Sequence, residues 1–176
     1  MTYTFSSDLE DCSRKDFDIT SKMSEDFFGM TTDSEQFQAS EENKDFLFKH
    51  LKNFVNIIRF NKEVIGYSFI IPSNKKLMSL FLKGKITESE LFDRVKSEKI
   101  NENNFDCLYL CSAIIKEEHR GKGLSIEGFK KLIVNLIKIR GNVKPDLFFW
   151  EYSKEGSIVA KKISEHFGFN LFKSNN

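Results

Sequence analysis

From Ser112 to Ser125 the chain reads Ser-Ala-Ile-Ile-Lys-Glu-Glu-His-Arg-Gly-Lys-Gly-Leu-Ser. An apolar, strand-like run gives way to a basic turn with glycines at 121 and 123, and a long amphipathic segment of helical period opens at Ser125. A strand, a tight turn and a helix start in that order aim several backbone N–H groups at one point. The first helical turn adds unpaired donors at the positive end of the dipole. Such a corner holds anions. The competing explanation is a plain connection, since turns favour glycine for conformational reasons alone. Two phosphate-binding patterns are excluded. No glycine stands five residues before Lys122 and no Ser or Thr follows it, and the three spaced glycines of a dinucleotide fingerprint are missing.

The elements that must position this corner follow from the rest of the chain. With 176 residues and 40% hydrophobic content, the sequence predicts a single domain over 1–176 with a core of its own. Basic and acidic side chains nearly cancel, 27 against 26, so nothing global points to nucleic acid or a membrane surface. The charge is unevenly placed: residues 1–50 are acidic, whereas residues 113–144 are basic, which suits a polyanionic ligand as well as a solvated lysine face. Cys12, Cys107 and Cys111 show no zinc or redox spacing, and His50, His119 and His166 form no ligand pair, so no metal site is expected. Odd, unpaired cysteines and the absence of a signal-like start or a long apolar run predict a reduced, cytoplasmic protein without a membrane anchor.

Residues 2–5 read as a short first strand, and the acidic stretch up to about residue 40 as loop plus one short helix, with Phe27, Phe28, Met30 and Phe37 as apolar anchors. Ser40 opens a helix carrying Phe46, Leu47 and Leu51. Residues 54–60 and 64–71 predict a β-hairpin that Pro72 ends. Residues 73–104 form a helical insertion of two short helices, the second opened by the capping box Thr87-Glu88-Ser89-Glu90. Residues 105–115 predict a central strand covered on both faces, followed by a helix over 125–140 and a buried strand over 147–152. A crossover helix makes those two strands parallel neighbours. A last helix from Glu155 stops at Gly168, and residues 169–172 form a final strand. The fold class is thus mixed α/β, a central mixed sheet flanked by helices.

The loop and this order of elements resemble the GNAT superfamily of acetyl-CoA-dependent N-acetyltransferases across roughly residues 40–173. The family's loop carries Arg or Gln, then a glycine, then Gly or Ala between a strand and a helix; Arg120, Gly123 and Ser125 take those places, the last as a different small residue. Further on, Ala160 and Gly168-Phe169 match the family's pattern, whereas Ser157 replaces its asparagine and Ser164 its tyrosine. There is no clear seventh strand, so the substrate side must draw on the 73–104 insertion, the acidic N-terminus, or a second subunit in a homodimer.

The resemblance implies transfer of an acetyl group from acetyl-CoA to an amine by direct attack, without an acyl-enzyme. It places the pyrophosphate on the backbone of Gly121, Lys122, Gly123, Leu124 and Ser125, with charge from Arg120 and Lys122. Pantetheine would lie beside Ala113 and Ile115, with Ser157 at the family's asparagine place. A strand N–H would polarise the thioester carbonyl. Tyr109, near where some members carry a glutamate, and Glu151, the carboxylate of the Trp150 strand end, are the candidates for moving the amine's proton. Each also has a structural explanation, Tyr109 as a core ring with a bonded hydroxyl and Glu151 as a solvated strand end. Serine at 164 is a poor replacement for the tyrosine thought to protonate the leaving thiolate, so the alternative is a catalytically weak CoA-binding or regulatory module of the same fold.

Overall fold

The computed structural model describes residues 2–9, 11–28 and 34–174. Six strands form one sheet in the order β1 (Tyr3–Phe5), β2 (Val55–Phe60), β3 (Glu63–Ser73), β4 (Cys107–Ile115), β5 (Asp146–Trp150), β6 (Leu171–Ser174). The first four are mutually antiparallel, and β4–β5 and β5–β6 are parallel. The hairpin between β2 and β3 turns on Asn61 and Lys62, both at positive φ (50° and 72°), the geometry whose twist matches the flanking strands. Pro72 does not end β3: it pairs opposite Leu108, and the strand runs on to Ser73.

Side-chain alternation along β3 assigns the helices to two faces. Ser68 looks toward α6 (Leu124–Ile139), its hydroxyl donating to the Ser125 carbonyl at 3.5 Å. Gly128 permits that approach, because a Cβ there would stand 2.5 Å from the Ser68 hydroxyl. The helix buries Phe129, Leu132, Ile133 and Leu136 against the sheet, beside α7 (Lys154–Phe167). Tyr67 and Phe69, one residue to either side of Ser68, look to the other face. There α2 (Arg14–Phe28) packs on β3, with α3 (Glu41–His50), α4 (Lys75–Leu82) and α5 (Glu88–Ser97) completing the layer.

The N-terminal region departs from expectation. After the short α1 (Ser6–Leu9), α2 runs for 15 residues where the sequence suggested only a short helix. Its buried positions are Asp16, Phe17, Thr20, Ser21 and Ser24, mostly polar, so the apolar period that marks a helix was absent. Asp16 explains the docking: its carboxylate takes the Arg59 guanidinium at 2.9 Å, with both side chains about nine-tenths buried. Gly29 and Met30 lie outside the described residues.

The insertion follows the expected caps. Thr87 Oγ1 accepts from the Glu90 N–H at 3.1 Å and Glu90 returns the bond to the Thr87 N–H at 2.8 Å, opening α5. Gly168, at φ 66°, ends α7 as the C-cap. Among the described residues no helix is long and apolar enough to cross a membrane, and no group of three or more His, Cys, Asp or Glu could hold a metal ion.

Candidate functional site

β4 and β5 pair at only three positions, Cys107 with Asp146, Leu108 with Leu147 and Tyr109 with Phe148. Beyond them the strands part. The opening is a cleft of about 670 Å³ floored by the outer half of β4 and walled by the start of α6, the end of β5 and the first turns of α7. Ala113, Ile115, Arg120, Gly121, Lys122, Gly123, Leu124 and Ser125 all line it.

The turn into α6 is built for exposed donors. Gly121 and Gly123 take φ of 76° and 74°, left-handed values that glycine adopts without strain. The first intrahelical bond runs from the Glu127 N–H to the Gly123 carbonyl at 3.0 Å. Among the described residues no acceptor takes the N–H groups of 121 to 126. Arg120 is splinted to the strand end, its Nε donating to the Ile115 carbonyl at 2.9 Å, and its guanidinium lies 5.6 Å from the Phe27 ring centroid. Lys122 is turned toward β1, donating to the Tyr3 hydroxyl at 2.7 Å.

A bulge in β4 joins the cleft to a second space. Phe69 pairs with Ser112 and Ile70 with Leu110, leaving Cys111 as the extra residue. Cys111 and Ser112, though consecutive, therefore both line a chamber of about 90 Å³ on the α2 face of the sheet. Phe28, Cys111, Ser112, Trp150 and Tyr152 belong to the walls of both spaces and mark their junction.

The chamber is aromatic with a polar depth. Tyr67 bonds to Ser24 and accepts from the Ser112 hydroxyl at 3.3 Å, and burial pushes its phenol up to about 12. Among the described residues, Glu88, 8% exposed, is the carboxylate of the chamber wall. Tyr109 donates to its Oε1 at 2.7 Å, Cys111 Sγ lies 3.5 Å from the same oxygen, and the Phe37 N–H donates to Oε2 at 2.6 Å. Burial first, then the Glu88 charge, holds both the Tyr109 phenol and the Cys111 thiol well above their ordinary values. Both stay protonated near neutral pH, so Tyr109 is a hydrogen-bond donor to a carboxylate and not itself a base, and Cys111 is no thiolate nucleophile.

Three expected positions stand apart. Glu151 alternates with Trp150 and Tyr152 along the strand end and so faces away from the cleft. It takes Lys173 at 2.7 Å and the Ser157 hydroxyl at 2.8 Å, and these partners, Lys173 foremost, lower its carboxyl below the usual range. Ser157 is thereby committed to the same outer surface, while Gly156, Val159 and Ala160 present the α7 face that lines the cleft. Ser164 donates to the Phe169 carbonyl at 2.8 Å at the far end of α7.

Glu88 was legible only as an acid in a first helical turn, and Tyr152 only as a residue of a strand end. In comparisons with known proteins, no family model and no curated protein matches this chain. Fold and site together define a mixed α/β protein whose cleft opens between two parting parallel strands, with a basic, glycine-punctuated turn at its mouth.

Proposed function

We propose that the chain is an acyl-CoA-dependent N-acyltransferase of the GNAT type, transferring an acetyl group from acetyl-CoA to an amine. The observation that carries this reading is one juxtaposition. The unsatisfied N–H groups of 121 to 126 stand at the mouth of the cleft that the parting of β4 from β5 opens. Backbone donors at a helix N-terminus fit the pyrophosphate, and the unpaired edge of β4 near Ala113 and Ile115 offers strand-like hydrogen bonds to the amides of pantetheine. Arg120, fixed to the Ile115 carbonyl, sets the loop's position and adds charge.

The thioester then falls at the junction, against Cys111, Ser112, Trp150 and Tyr152, with the amine presented from the chamber. Its nitrogen forms the C–N bond as the C–S bond breaks. Glu88 is the carboxylate placed to take the amine's proton, directly or through water. Tyr152, edge-on to Trp150 and Phe28 with ring centroids at 5.7 and 5.6 Å, is the phenol placed to protonate the departing thiolate. With Cys111 kept as a thiol, attack is direct.

A second reading is a CoA-binding module without turnover, favoured by Ser164 being committed to the Phe169 carbonyl. Nucleic-acid binding through residues 113–144 is disfavoured because α6 spends its apolar face on the sheet. Calorimetric titration with acetyl-CoA and with duplex DNA, followed by thiol release over a panel of amines, separates the three. Binding without thiol release from any amine identifies the module, and absence of acetyl-CoA binding refutes both CoA readings.

A further inference from the structure

We propose that Ser112 seats the acceptor amine: its Oγ presents only lone pairs at the junction of chamber and cleft, and there it takes an N–H of the attacking nitrogen. That the N–H belongs to an acceptor amine rests on the acyltransferase reading. The polarity of the site stands on a relay of hydrogen bonds.

The direction of the relay is set at its buried end. The Thr20 carbonyl can only accept, so the Ser24 hydroxyl, 3.0 Å away, donates to it. Ser24 has then spent its one proton, and in its bond with the Tyr67 hydroxyl the phenol donates. Tyr67 has in turn spent its proton and accepts from Ser112 at 3.3 Å. Ser24 and Tyr67 are 7% and 4% exposed, so water does not compete for these bonds. The Ser112 hydroxyl also bears on the Cys111 sulfur, whose own proton faces the Glu88 carboxylate, so the serine is the donor in that contact as well. Its proton is thus turned inward. Among the described residues no donor bonds to its oxygen, which is partly exposed where the two spaces meet.

The relay holds a proton in place and does not remove one. It ends on a carbonyl, and burial pushes the Tyr67 phenol up to about 12, so Ser112 has no base to make it a nucleophile and no proton to spare for a departing thiolate. What it can do is accept. An amine attacks through its lone pair, and an acceptor oxygen beside it repels that pair and takes an N–H instead, which leaves the pair free to face the thioester carbon. As the C–N bond forms and the C–S bond breaks, one nitrogen proton leaves and the coenzyme's thiolate takes one up. A second N–H stays on the amide nitrogen, bonded to Ser112. A primary amine supplies both hydrogens, and a secondary amine only one, so primary amines are the preferred acceptors.

Trp150 is the chain's single tryptophan and lines both spaces, so its fluorescence reports on the junction. Pyrrole and furan are neutral rings of like size, one carrying an N–H and the other an acceptor oxygen. Titrated into the full chain, pyrrole is expected to bind at least about threefold more tightly than furan, and Ser112→Ala to remove the difference. Tyr67→Phe frees the serine's proton to turn outward, and Ser24→Ala does so from one bond further in by letting the phenol turn toward Ser112. Both should raise furan affinity, which a merely structural role would not do. In thiol release from acetyl-CoA, the kcat/KM ratio of n-butylamine to N-methylbutylamine should fall at least about threefold in Ser112→Ala and be restored by Ser112→Thr. No saturable response to either ring, equal affinities in the parent, a pyrrole preference that survives in folded Ser112→Ala, furan affinity unchanged in both relay variants, or an unchanged ratio of the two amines overturns the inference. A Ser112-dependent preference for pyrrole with no thiol release from any amine would instead leave the acceptor site standing and sink the acyltransferase reading alone.

Discussion

Tyr109 and Phe148 form the last pair that β4 and β5 make, and the cleft beside the glycine turn opens where the strands part beyond it. Above it, the β4 edge carries backbone groups that a neighbouring strand would otherwise satisfy. Below it, Tyr109 is locked into the core, its ring against Phe81 and Phe148 at centroid distances of 5.0 Å. One residue pair separates the structural half of β4 from the half that lines the cleft.

The loop gives the first prediction. A Cβ at Gly123 meets no protein atom, so substitution there disturbs the fold only through its φ of 74°, at a cost of about 1–2 kcal/mol. Gly123→Val should stay folded and bind acetyl-CoA at least about tenfold more weakly, because the side chain intrudes where the backbone must approach the pyrophosphate. Arg120→Ala should do less, since water and salt partly replace an exposed charge. Calorimetry on the three proteins checks the order, and undiminished binding by Gly123→Val would show the loop to be only a connection.

A second prediction concerns how α2 is held. Asp16→Ala leaves the Arg59 guanidinium buried without its carboxylate, and should destabilise the fold by about 3–5 kcal/mol in urea denaturation. Replacing both partners, Asp16→Leu with Arg59→Met, should recover much of that loss, because the cost lies in the orphaned charge. If Asp16→Ala unfolds at the parent's urea concentration, the pair does not anchor the helix.

Alkaline stability follows from the buried acids. Burial pushes the Cys12 and Cys107 thiols from 9.0, and the Tyr67 phenol from 10.0, up to about 12 in each case. Between those ordinary values and 12 the unfolded chain has lost protons that the folded chain keeps, so unfolding releases protons and stability falls as pH rises. The contribution is complete below 9 and is lost progressively toward 12. Urea midpoints should therefore decline as pH rises from about 9 toward about 12, and iodoacetamide should modify native protein far more slowly than denatured protein at about pH 8.5. Rapid native alkylation of Cys107 would contradict its burial.

The proton-transfer assignments can be separated by substitution. Tyr109→Phe removes one donor to Glu88 and should cost about 1 kcal/mol of stability while reducing thiol release only modestly. Glu88→Gln should lower kcat by about two orders of magnitude, as expected for loss of a general base. Tyr152→Phe should lower kcat with acetyl-CoA affinity unchanged, because its exposed ring is not part of the core. Loss of activity in Tyr109→Phe equal to that in Glu88→Gln would reverse the roles given to the two residues.

What the sequence by itself determined is what short-range physics controls. The Thr87–Glu90 capping box, the positive-φ hairpin at Asn61 and Lys62, the glycine turn at 121–123 and the apolar period of α6 are each fixed by sterics and hydrogen bonds within a few residues. The parallel pairing of β4 and β5 was legible too, since crossover connection through α6 makes them parallel neighbours. Tertiary structure alone decided which side chains meet. Glu88 reaches Tyr109 across 21 positions because α5 packs on the sheet, and nothing local distinguishes it from any other acid in a first turn. The bulge at Cys111 turned two consecutive residues toward one chamber, and alternation sent Glu151 and Ser157 to the opposite surface. The mostly polar buried face of α2 hid a helix, because its burial answers to Arg59 and the chamber and not to an apolar period. Long-range packing chooses such partners, and a pattern that repeats every two or 3.6 residues carries no record of them.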